Sequence, residues 1–490
     1  MKKIIALLLA CLMIVGLAAC DKKEAQQTTN TESDEIPTQG SLPADHTPED
    51  TTPEVTDITL KVWAPQEDLQ ADNNGWLPKL CKQYAEAYPL WNITWVFEAC
   101  EAEDVAAKVA ADPTAVADVF VYSHTQLEAL LEAEILASLS GEVLSQMELD
   151  NSDEIINIFA RKLTITDDAD REEAIYGLPT DVDTWVMYYN STVFTAEDVV
   201  SLDAMLAKGK VAFPLSDAEY LAAFYVANGG TFFGDGTNAA LGIDFAGEKG
   251  IAVTKYLAQL MKNANFVVDA EGAGLTGLQD GSVAAVFGKA KDAKTIKAVL
   301  GDNMAVAVAP AITVNEQAKV LTPFRTIKAM GINANTENPK VASLLAAYLA
   351  TPEAQLAHYE ATAAVPVSTS LQEDTKVMGD KVIAAVLATA QKQTILLPGV
   401  TEMNSYWPAA AAFATSVING EVVVEIADIK TAEFNTALNT PVVIVPDVVE
   451  PETTEPGTTE PETTDATVAA TEDTTPATTE ATVPATTAAQ

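Results

Sequence analysis

The chain has 490 residues, 48% of them apolar, so it can bury a large core and form more than one lobe. Its formal charge is −42, and residues 57–440 alone hold 51 acidic against 24 basic side chains. This acidity excludes nucleic acid as a partner, because phosphate backbones are bound through clustered Lys and Arg, and it disfavours anionic ligands.

The first twenty residues have the layout of an export signal. Lys2 and Lys3 precede an apolar run, residues 4–19, that is shorter than the ~20 residues of a membrane-spanning helix. The run ends in Leu-Ala-Ala-Cys at Cys20, which resembles the lipidation motif of bacterial lipoproteins. The resemblance implies that residues 1–19 are removed and that lipid on Cys20 anchors the protein at the extracytoplasmic face of the cell membrane. An ordinary secretory signal with an incidental cysteine is the alternative.

Two polar segments flank the central part of the chain. Residues 20–56 follow the signal and are rich in Thr, Pro, Asp, Glu and Gln, so we predict a flexible, disordered linker. Residues 441–490 form an acidic Thr/Pro tail of low complexity. Disorder and an O-glycosylated stalk are both compatible with this tail.

In the central part, segments typical of strands alternate with segments typical of helices. Apolar alternation predicts strands at 58–62 and 93–97, and a stripe with helical spacing predicts a helix at 77–84 between them. The apolar run 118–122 predicts a strand covered on both faces, followed by a helix at 126–134. This order predicts α/β lobes with mostly parallel sheets.

Ligands of such sheets bind beyond the carboxyl ends of the strands, and Trp63, Tyr122 and His124 lie at two of these ends. The three histidines are scattered, and the sequence contains neither zinc-ligand spacing nor a Walker or GxGxxG motif. We therefore predict no cofactor and no metal. Cys81 and Cys100 either form a disulfide or remain two buried thiols.

Eight segments of the central part match one protein family in order and spacing. They are residues 58–63, 117–124, 176–190, 227–230, 256–261, 278–286, 331–333 and 398–407. Together they resemble the extracellular solute-binding proteins of ABC sugar importers, of the maltose/maltodextrin-binding type. The resemblance implies an α/β, two-lobed periplasmic-binding-protein-like fold with a hinge and an interlobe cleft, over about 57–440. It places lobe 1 at about 57–181 and 305–350, lobe 2 at about 184–304 and 351–440, and the crossovers near 181–185, 310 and 350.

The resemblance also implies site residues, because a sugar site needs aromatic platforms for ring faces and polar groups for hydroxyls. Trp407 would be the main stacking surface, with Tyr406 beside it, and Asp183 would accept hydrogen bonds from hydroxyls. The further candidates in the cleft are Trp63, Glu67, Asp68, Tyr122, His124, Trp185 and Tyr220. Core packing is the alternative for Trp407 and Trp63, solvation for the two loop carboxylates, and support of a strand end for His124.

The sequence departs from the family pattern at two places. After Val286 it reads Phe-Gly-Lys-Ala-Lys, where maltose binders carry a Gly-Pro-Trp segment, so one stacking platform is missing and Lys289 or Lys291 takes its neighbourhood. The charged pair expected after the histidine is Thr-Gln here. Arg325 and Lys328 would reach the cleft or remain surface cations.

Three other functions have some support in the sequence. Asp181 and Asp183 would lie about 6.5–7 Å apart along a strand, a separation near that of inverting-glycosidase carboxylates, but they face the same side. Tyr188 and Tyr189 are similar to the tyrosine pair of ferric-iron binders, although strand neighbours point to opposite faces. The Thr/Pro tail suggests a surface adhesin.

The sequence thus predicts a binding protein without catalytic chemistry. Its expected partners are an oligosaccharide, a maltodextrin-like glucan in the first instance, the permease subunits of an ABC importer, and the membrane through its lipid. We expect a monomer.

Overall fold

The computed structural model describes residues 55–162 and 173–441. The predicted signal, Cys20 and nearly all of both flanking segments lie outside the described residues. Within the described ranges, no helix combines the length and apolarity needed to cross a membrane.

The strands are short and spread along the described chain. They are Thr56–Ala64 (β1), Trp91–Ala99 (β2), Val119–Ser123 (β3), Ala160–Lys162 (β4), Glu173–Ile175 (β5), Leu178–Asp183 (β6), Val186–Asn190 (β7), Val211–Phe213 (β8), Thr231–Phe232 (β9), Ile243–Asp244 (β10), Phe266–Val268 (β11), Ala285–Gly288 (β12), Met304–Ala307 (β13), Ala311–Val314 (β14), Gln317–Val320 (β15), Phe324–Ile332 (β16), Val365–Pro366 (β17) and Ile395–Leu396 (β18).

Helices fill most of the connections between these strands. They are Gln66–Leu69 (α1), Trp76–Ala87 (α2), Val105–Ala111 (α3), Leu127–Glu132 (α4), Gly141–Asp150 (α5), Asp153–Ile158 (α6), Leu202–Leu206 (α7), Ala218–Ala227 (α8), Phe233–Gly236 (α9), Gly247–Leu260 (α10), Ala273–Asp280 (α11), Ala293–Leu300 (α12), Pro339–Leu349 (α13), Pro352–Thr362 (α14), Thr369–Glu373 (α15), Lys381–Lys392 (α16), Tyr406–Ile418 (α17) and Ala427–Leu438 (α18).

The first sheet has seven strands in the order β17-β6-β16-β3-β1-β2, with β18 paired to β16. β1 runs parallel to β2 and β3, whereas β16 runs antiparallel to β3 and β6. The carboxyl ends of β1, β3 and β6 therefore meet the start of β16 at one edge. Every residue of β3 is buried, which confirms the prediction of a strand covered on both faces.

The second sheet has five strands in the order β11-β8-β12-β7-β13. β7 runs antiparallel to its neighbours β12 and β13, so the start of β7 lies beside the carboxyl ends of β8 and β12. Both sheets are thus mixed and not mostly parallel as predicted. The reason is that the strands bordering the crossovers enter each sheet from the opposite lobe.

The two sheets are joined at the edges just described. Only Thr184 and Trp185 separate β6 from β7, and the hydroxyl of Thr184 donates a 2.7 Å hydrogen bond to the carbonyl oxygen of Phe324, the first residue of β16. The outgoing and returning crossovers are therefore tied side by side. Both sheets end at these crossovers, and the boundary between the two edges is called the cleft.

The observed lobe boundaries differ from the predicted ones after residue 304. β13 pairs within the second sheet and the β14–β15 hairpin contacts α7 and α10, so the chain returns close to Phe324 and not near 310. α14 contacts α1 and α2, and β17 joins the first sheet, so 352–366 belongs to lobe 1. β17 and β18 have two residues each, too few to leave a periodic signal.

The buried apolar residues form two clusters. The first covers the first sheet and one face of the second, and the second cluster covers the other face of the second sheet with α8, α10, α17 and α18. Adjacent residues of β7 illustrate the division, because Tyr188 lies in the first cluster and Tyr189 in the second. α16 lies between the lobes and contacts β6 and β17 on one side and β7 and β13 on the other.

Candidate functional site

Three charged side chains meet at the cleft edge and are called the Lys289 cluster. Asp183 ends β6, Lys289 follows β12, and Glu219 lies in the first turn of α8. The Lys289 Nζ atom lies 2.9 Å from Asp183 Oδ2 and 3.2 Å from Glu219 Oε2. The cluster therefore joins the last residue of a first-lobe strand to two second-lobe elements.

Hydrogen bonds fix the backbone on both sides of Lys289. The Tyr188 hydroxyl donates to the Lys289 carbonyl oxygen at 2.8 Å, and the Lys289 amide donates to Asp292 Oδ2 at 2.8 Å. The preceding Gly288 permits this approach, since a Cβ there would lie 2.6 Å from the same carboxylate oxygen. Main-chain hydrogen bonds thus position Lys289, in addition to the ion pairs of its side chain.

Burial and mutual charge act in opposite directions on this cluster. Burial disfavours the ammonium of Lys289, but Asp183 and Glu219 outweigh that effect and raise its pKa. Burial raises the pKa of Glu219, which Lys289 partly offsets. Lys289 is therefore a charged, doubly paired group.

Aromatic rings lie behind the cluster. Tyr220 stacks on Trp185 with ring centroids 5.1 Å apart, and Phe213 and Phe287 contact the indole edge-on. Trp185 is fully buried and Tyr220 is 7% exposed. The Trp185 Nε1 atom has no hydrogen-bond partner within the described residues. In this conformation neither ring presents an open face to the cleft.

Tyr406 and Trp407 begin α17 and differ in exposure. Tyr406 is fully buried, and its hydroxyl donates a 2.6 Å hydrogen bond to the carbonyl oxygen of Ala218, the residue before Glu219. Trp407 is half-buried, with its ring centroid 5.2 Å from that of Tyr406 and 6.4 Å from that of Phe324. Of the predicted aromatic residues, Trp407 is the one that keeps exposed ring surface.

A second polar group in lobe 1, called the His358 cluster, comprises Asp68, Trp76, Asp181 and His358. Asp68 Oδ1 accepts hydrogen bonds from Trp76 Nε1 at 2.7 Å and from His358 Nε2 at 2.9 Å. The His358 ring stacks on Trp76 at 4.3 Å, and its Nδ1 lies 4.0 Å from Asp181 Oδ2. Asp68 is therefore a buried, fully engaged carboxylate, whereas its neighbour Glu67 is exposed.

The helix that carries His358 is positioned by its own N-terminus. Thr351 caps α14 by accepting a hydrogen bond from the amide of Ala354, and Pro352 occupies the first turn. Burial lowers the pKa of His358, but the hydrogen bond and charge of Asp68 together with Asp181 raise it overall. Burial likewise opposes the charge on Lys328, and Asp181 leads the groups that raise its pKa.

The remaining predicted residues are buried in lobe 1. Trp63 donates from Nε1 to Glu98 Oε2 at 3.0 Å, with Lys108 Nζ 4.5 Å from its ring centroid. The Tyr122 hydroxyl donates to the Tyr176 carbonyl oxygen at 3.2 Å. Tyr220 follows Glu219 in α8 and Tyr406 bonds to Ala218 of the same helix, whereas the Trp63 and Tyr122 rings lie in the core of lobe 1.

His124 is also engaged on both ring nitrogens. Its Nε2 lies 2.9 Å from the Leu397 carbonyl oxygen, and its Nδ1 accepts from the Ile327 amide at 3.2 Å. Burial is the main cause that lowers its pKa to about 4. His124 is therefore a neutral ring whose two nitrogens both take part in hydrogen bonds. These bonds hold the end of β3 against the start of β16.

Sequence reasoning missed Trp76, Glu219 and His358. Trp76 directly precedes the helix predicted at 77–84, and Glu219 precedes the predicted Tyr220, so position alone could have suggested them. His358 carries no such signal, because 290 residues separate it from Asp68. Arg325, considered for the cleft, instead donates to the Ala390 carbonyl oxygen and pairs with Glu154.

Within the described ranges, no group of three or more His, Cys, Asp or Glu side chains could hold a metal ion. Cys81 and Cys100 are both buried free thiols, and burial raises the pKa of each.

Known proteins similar to this chain were then compared with it. Residues 79–390 match the model of the bacterial extracellular solute-binding protein family. The galactooligosaccharide-binding protein of Bacillus subtilis (strain 168) is 26% identical over 272 residues, which are 51% of this chain and 62% of that relative. The match therefore spans about three-fifths of the relative's length.

Solved structures extend the comparison. A structure solved with acarbose is 39% identical, with a TM-score of 0.69 over 78% of this chain and 98% of that one. The maltodextrin binding protein MalE1 from L. casei BL23, without ligand, is 22% identical and shares the fold, with a TM-score of 0.67 over 78% of this chain and 99% of its own. This two-lobed α/β protein belongs to the bacterial extracellular solute-binding protein family.

Proposed function

We propose that this protein captures an oligosaccharide in the cleft and delivers it to the permease of an ABC importer. The proposal rests on the Lys289 cluster at the cleft edge and on half-buried Trp407, whose neighbour Tyr406 bonds to Ala218 beside Glu219. Indole surface suits the apolar face of a sugar ring, and carboxylates beside an ammonium suit its hydroxyls. A maltodextrin-like glucan is the first expected ligand, supported by the similarity to a structure solved with acarbose.

Location and anchoring complete the proposal. The family consists of extracellular binding proteins, so its members act outside the cytoplasm. We propose that lipid on Cys20 tethers the protein near its importer and that residues 21–56 provide reach. Replacing Cys20 by Ala should release the protein from membranes into the medium, which fractionation of producing cells would detect. Membrane retention of that variant after removal of residues 1–19 would refute the anchor without affecting the ligand.

Calorimetric titration with maltotetraose, a galactooligosaccharide and acarbose tests the ligand class. Trp407→Ala should weaken binding of the preferred sugar about 30-fold, because removing an aromatic anchor costs about 2 kcal/mol and each 1.4 kcal/mol is tenfold. Trp95→Ala is the matched control, since Trp95 is also half-buried but lies on edge strand β2. Equal affinity of wild type and Trp407→Ala would remove this ring from the site, and absence of binding to all three sugars would refute the function.

Hydrolysis is the rival that the same material can test. Asp181 and Asp183 lie on one strand, with Asp181 buried and Asp183 paired to Lys289. These two carboxylates therefore do not lie on opposite sides of a scissile bond, as glycoside hydrolysis requires. Incubation with maltotetraose should release no reducing ends, and sustained turnover would contradict the assignment as a binding protein.

A further inference from the structure

We propose that Lys289 is a specificity-determining residue, which holds Asp183 and Glu219 as hydrogen-bond acceptors for the hydroxyl edge of an uncharged sugar. The inference rests on the proposed oligosaccharide binding and deepens it. It assigns this wall of the cleft to hydroxyl recognition and leaves ring stacking to Trp407.

The hydrogen-bonding capacity of the cluster supports this role. A lysine ammonium has three N–H donors, and two of those of Lys289 are directed at Asp183 and Glu219. Each carboxylate has about four lone-pair sites, so one bond to the lysine leaves most of them free. The cluster can therefore accept hydrogen bonds from sugar hydroxyls and donate one more from the ammonium.

Exposure and rigidity are both suitable for a ligand site. The side chains of Lys289, Asp183 and Glu219 are 27%, 32% and 25% exposed, so all three reach solvent. The backbone of each residue is also fixed. Asp183 lies where β6 pairs with β16, and Lys289 is bonded to Tyr188 and Asp292. The amide of Glu219 donates to the Asp217 cap of α8. Groups prepared in this way lose little conformational entropy on binding.

The aromatic residues nearby do not offer an alternative at this position. Trp185 is fully buried and Tyr220 nearly so, and each stacks on the other. Neither aromatic ring is therefore available to stack on a sugar ring of the ligand. The polar edge of a sugar is therefore the part that the Lys289 cluster can recognise.

The charge of the cluster selects uncharged ligands. Two carboxylates face one ammonium, whereas the nearby carboxylate of Asp181 is offset by Lys328 and His358. A uronic acid placed here would meet excess negative charge, whereas a neutral hydroxyl meets acceptors. The site is expected to reject carboxylated sugars even when salt screens the long-range charge of the protein.

Titration of maltotetraose and the galactooligosaccharide into full-length variants tests the proposal. Lys289→Met should weaken binding of the preferred sugar at least tenfold, because the two carboxylates would lose their common partner. Lys289→Arg should stay within about threefold of wild type, since guanidinium also pairs with carboxylates. Lys291→Met is the control, because Lys291 is exposed and two residues away, and it should bind like wild type.

A pH profile separates positioning from a merely structural role. Glu219 faces Lys289, Asp183 and Asp217, so loss of the ammonium leaves three acidic groups together. Affinity of Lys289→Met should then depend on pH more strongly than that of wild type, while circular dichroism verifies the fold at each pH. A second arm compares maltotetraose with a C6-oxidised preparation at high salt, and wild type should prefer the uncharged sugar at least tenfold.

Each outcome has one meaning. If wild type binds sugar and Lys289→Met binds it equally with an equal pH profile, Lys289 has no role and the proposed function survives. If the oxidised sugar binds as well as maltotetraose, the selection of uncharged ligands is wrong. If wild type binds no sugar, the proposed function and this inference both fail.

Discussion

His124 and His358 are both buried, yet their surroundings favour opposite charge states. Burial, with smaller contributions from Arg325 and Arg161, lowers the pKa of His124 to about 4, so its ring is neutral at pH 7. The His358 ring faces Asp68 and Asp181, which outweigh burial and Lys328 and raise its pKa. Because the pKa of His124 is lowered and that of His358 is raised, the two residues should make stability depend on pH in opposite directions.

For His124 the folded state binds a proton less readily than the unfolded chain. Its contribution is therefore present above the ordinary pKa of 6.5 and is lost as pH falls towards about 4. Over these 2.5 pH units the loss amounts to about 3 kcal/mol, at 1.36 kcal/mol per unit. The free energy of unfolding, measured in urea, should decrease between pH 7 and pH 4 in both proteins. The decrease should be smaller in His124→Gln than in wild type by about 3 kcal/mol. Equal drops would mean that His124 is protonated without cost.

At the scale of elements, the His358 cluster connects the turn after β1 to a helix far away in the sequence. Asp68 in α1 bonds to Trp76 at the start of α2 and to His358 in α14. Three elements therefore share one carboxylate. The turn that follows β1 borders the cleft edge, so this cluster fixes one part of the cleft wall.

Because the folded pKa of His358 is raised, its contribution is present below pH 6.5 and lost as pH rises through the folded value. His358→Gln should destabilise the protein more at pH 5.5 than at pH 9 and speed amide exchange of residues 66–75 at pH 5.5. Exchange mass spectrometry can localise the change, with the β14–β15 hairpin of lobe 2 as an internal reference. Uniform acceleration over both lobes would show that the cluster acts on global stability and not on this turn.

The elements with strong periodicity could be predicted, and those defined by distant contacts could not. The apolar run of β3 and the amphipathic stripe of α2 place these elements within a few residues of the observed bounds. Between β6 and β7 the chain passes from one sheet to the other through Thr184 and Trp185. β17 and β18 have two residues each and are strands only because β6 and β16 lie beside them.

The same limit applies to the candidate site. Lys289 stands out in the sequence as a departure from the family, but its pairing with Glu219 depends on how α8 meets β12. Trp63 and Tyr122 occur at strand ends, as ligand-binding aromatics do, yet their rings turn into the core. Sequence position gives the end of the strand, whereas packing decides which side of it a ring occupies.

At the scale of the whole molecule, the first of the two apolar clusters extends into both lobes. α16 contacts both sheets, and its buried residues Ile383 and Val386 belong to the same cluster as Val182 of the first sheet and Tyr188 of the second. A core that continues across the crossovers couples the unfolding of one lobe to that of the other. Separate cores would instead allow each lobe to unfold alone.

Calorimetric unfolding of the ligand-free protein should therefore give one transition, with the calorimetric enthalpy equal to the van't Hoff enthalpy. Ile383→Ala, which opens a cavity in the shared core, should lower the stability by about 2–5 kcal/mol and move the whole transition without dividing it. Ile429→Ala is the matched control, because Ile429 is 54% exposed on α18 and its loss should change stability by no more than about 0.5 kcal/mol. Two resolved transitions in wild type would show that α16 does not couple the lobes, and that the contacts it makes with the second sheet are too weak to transmit unfolding.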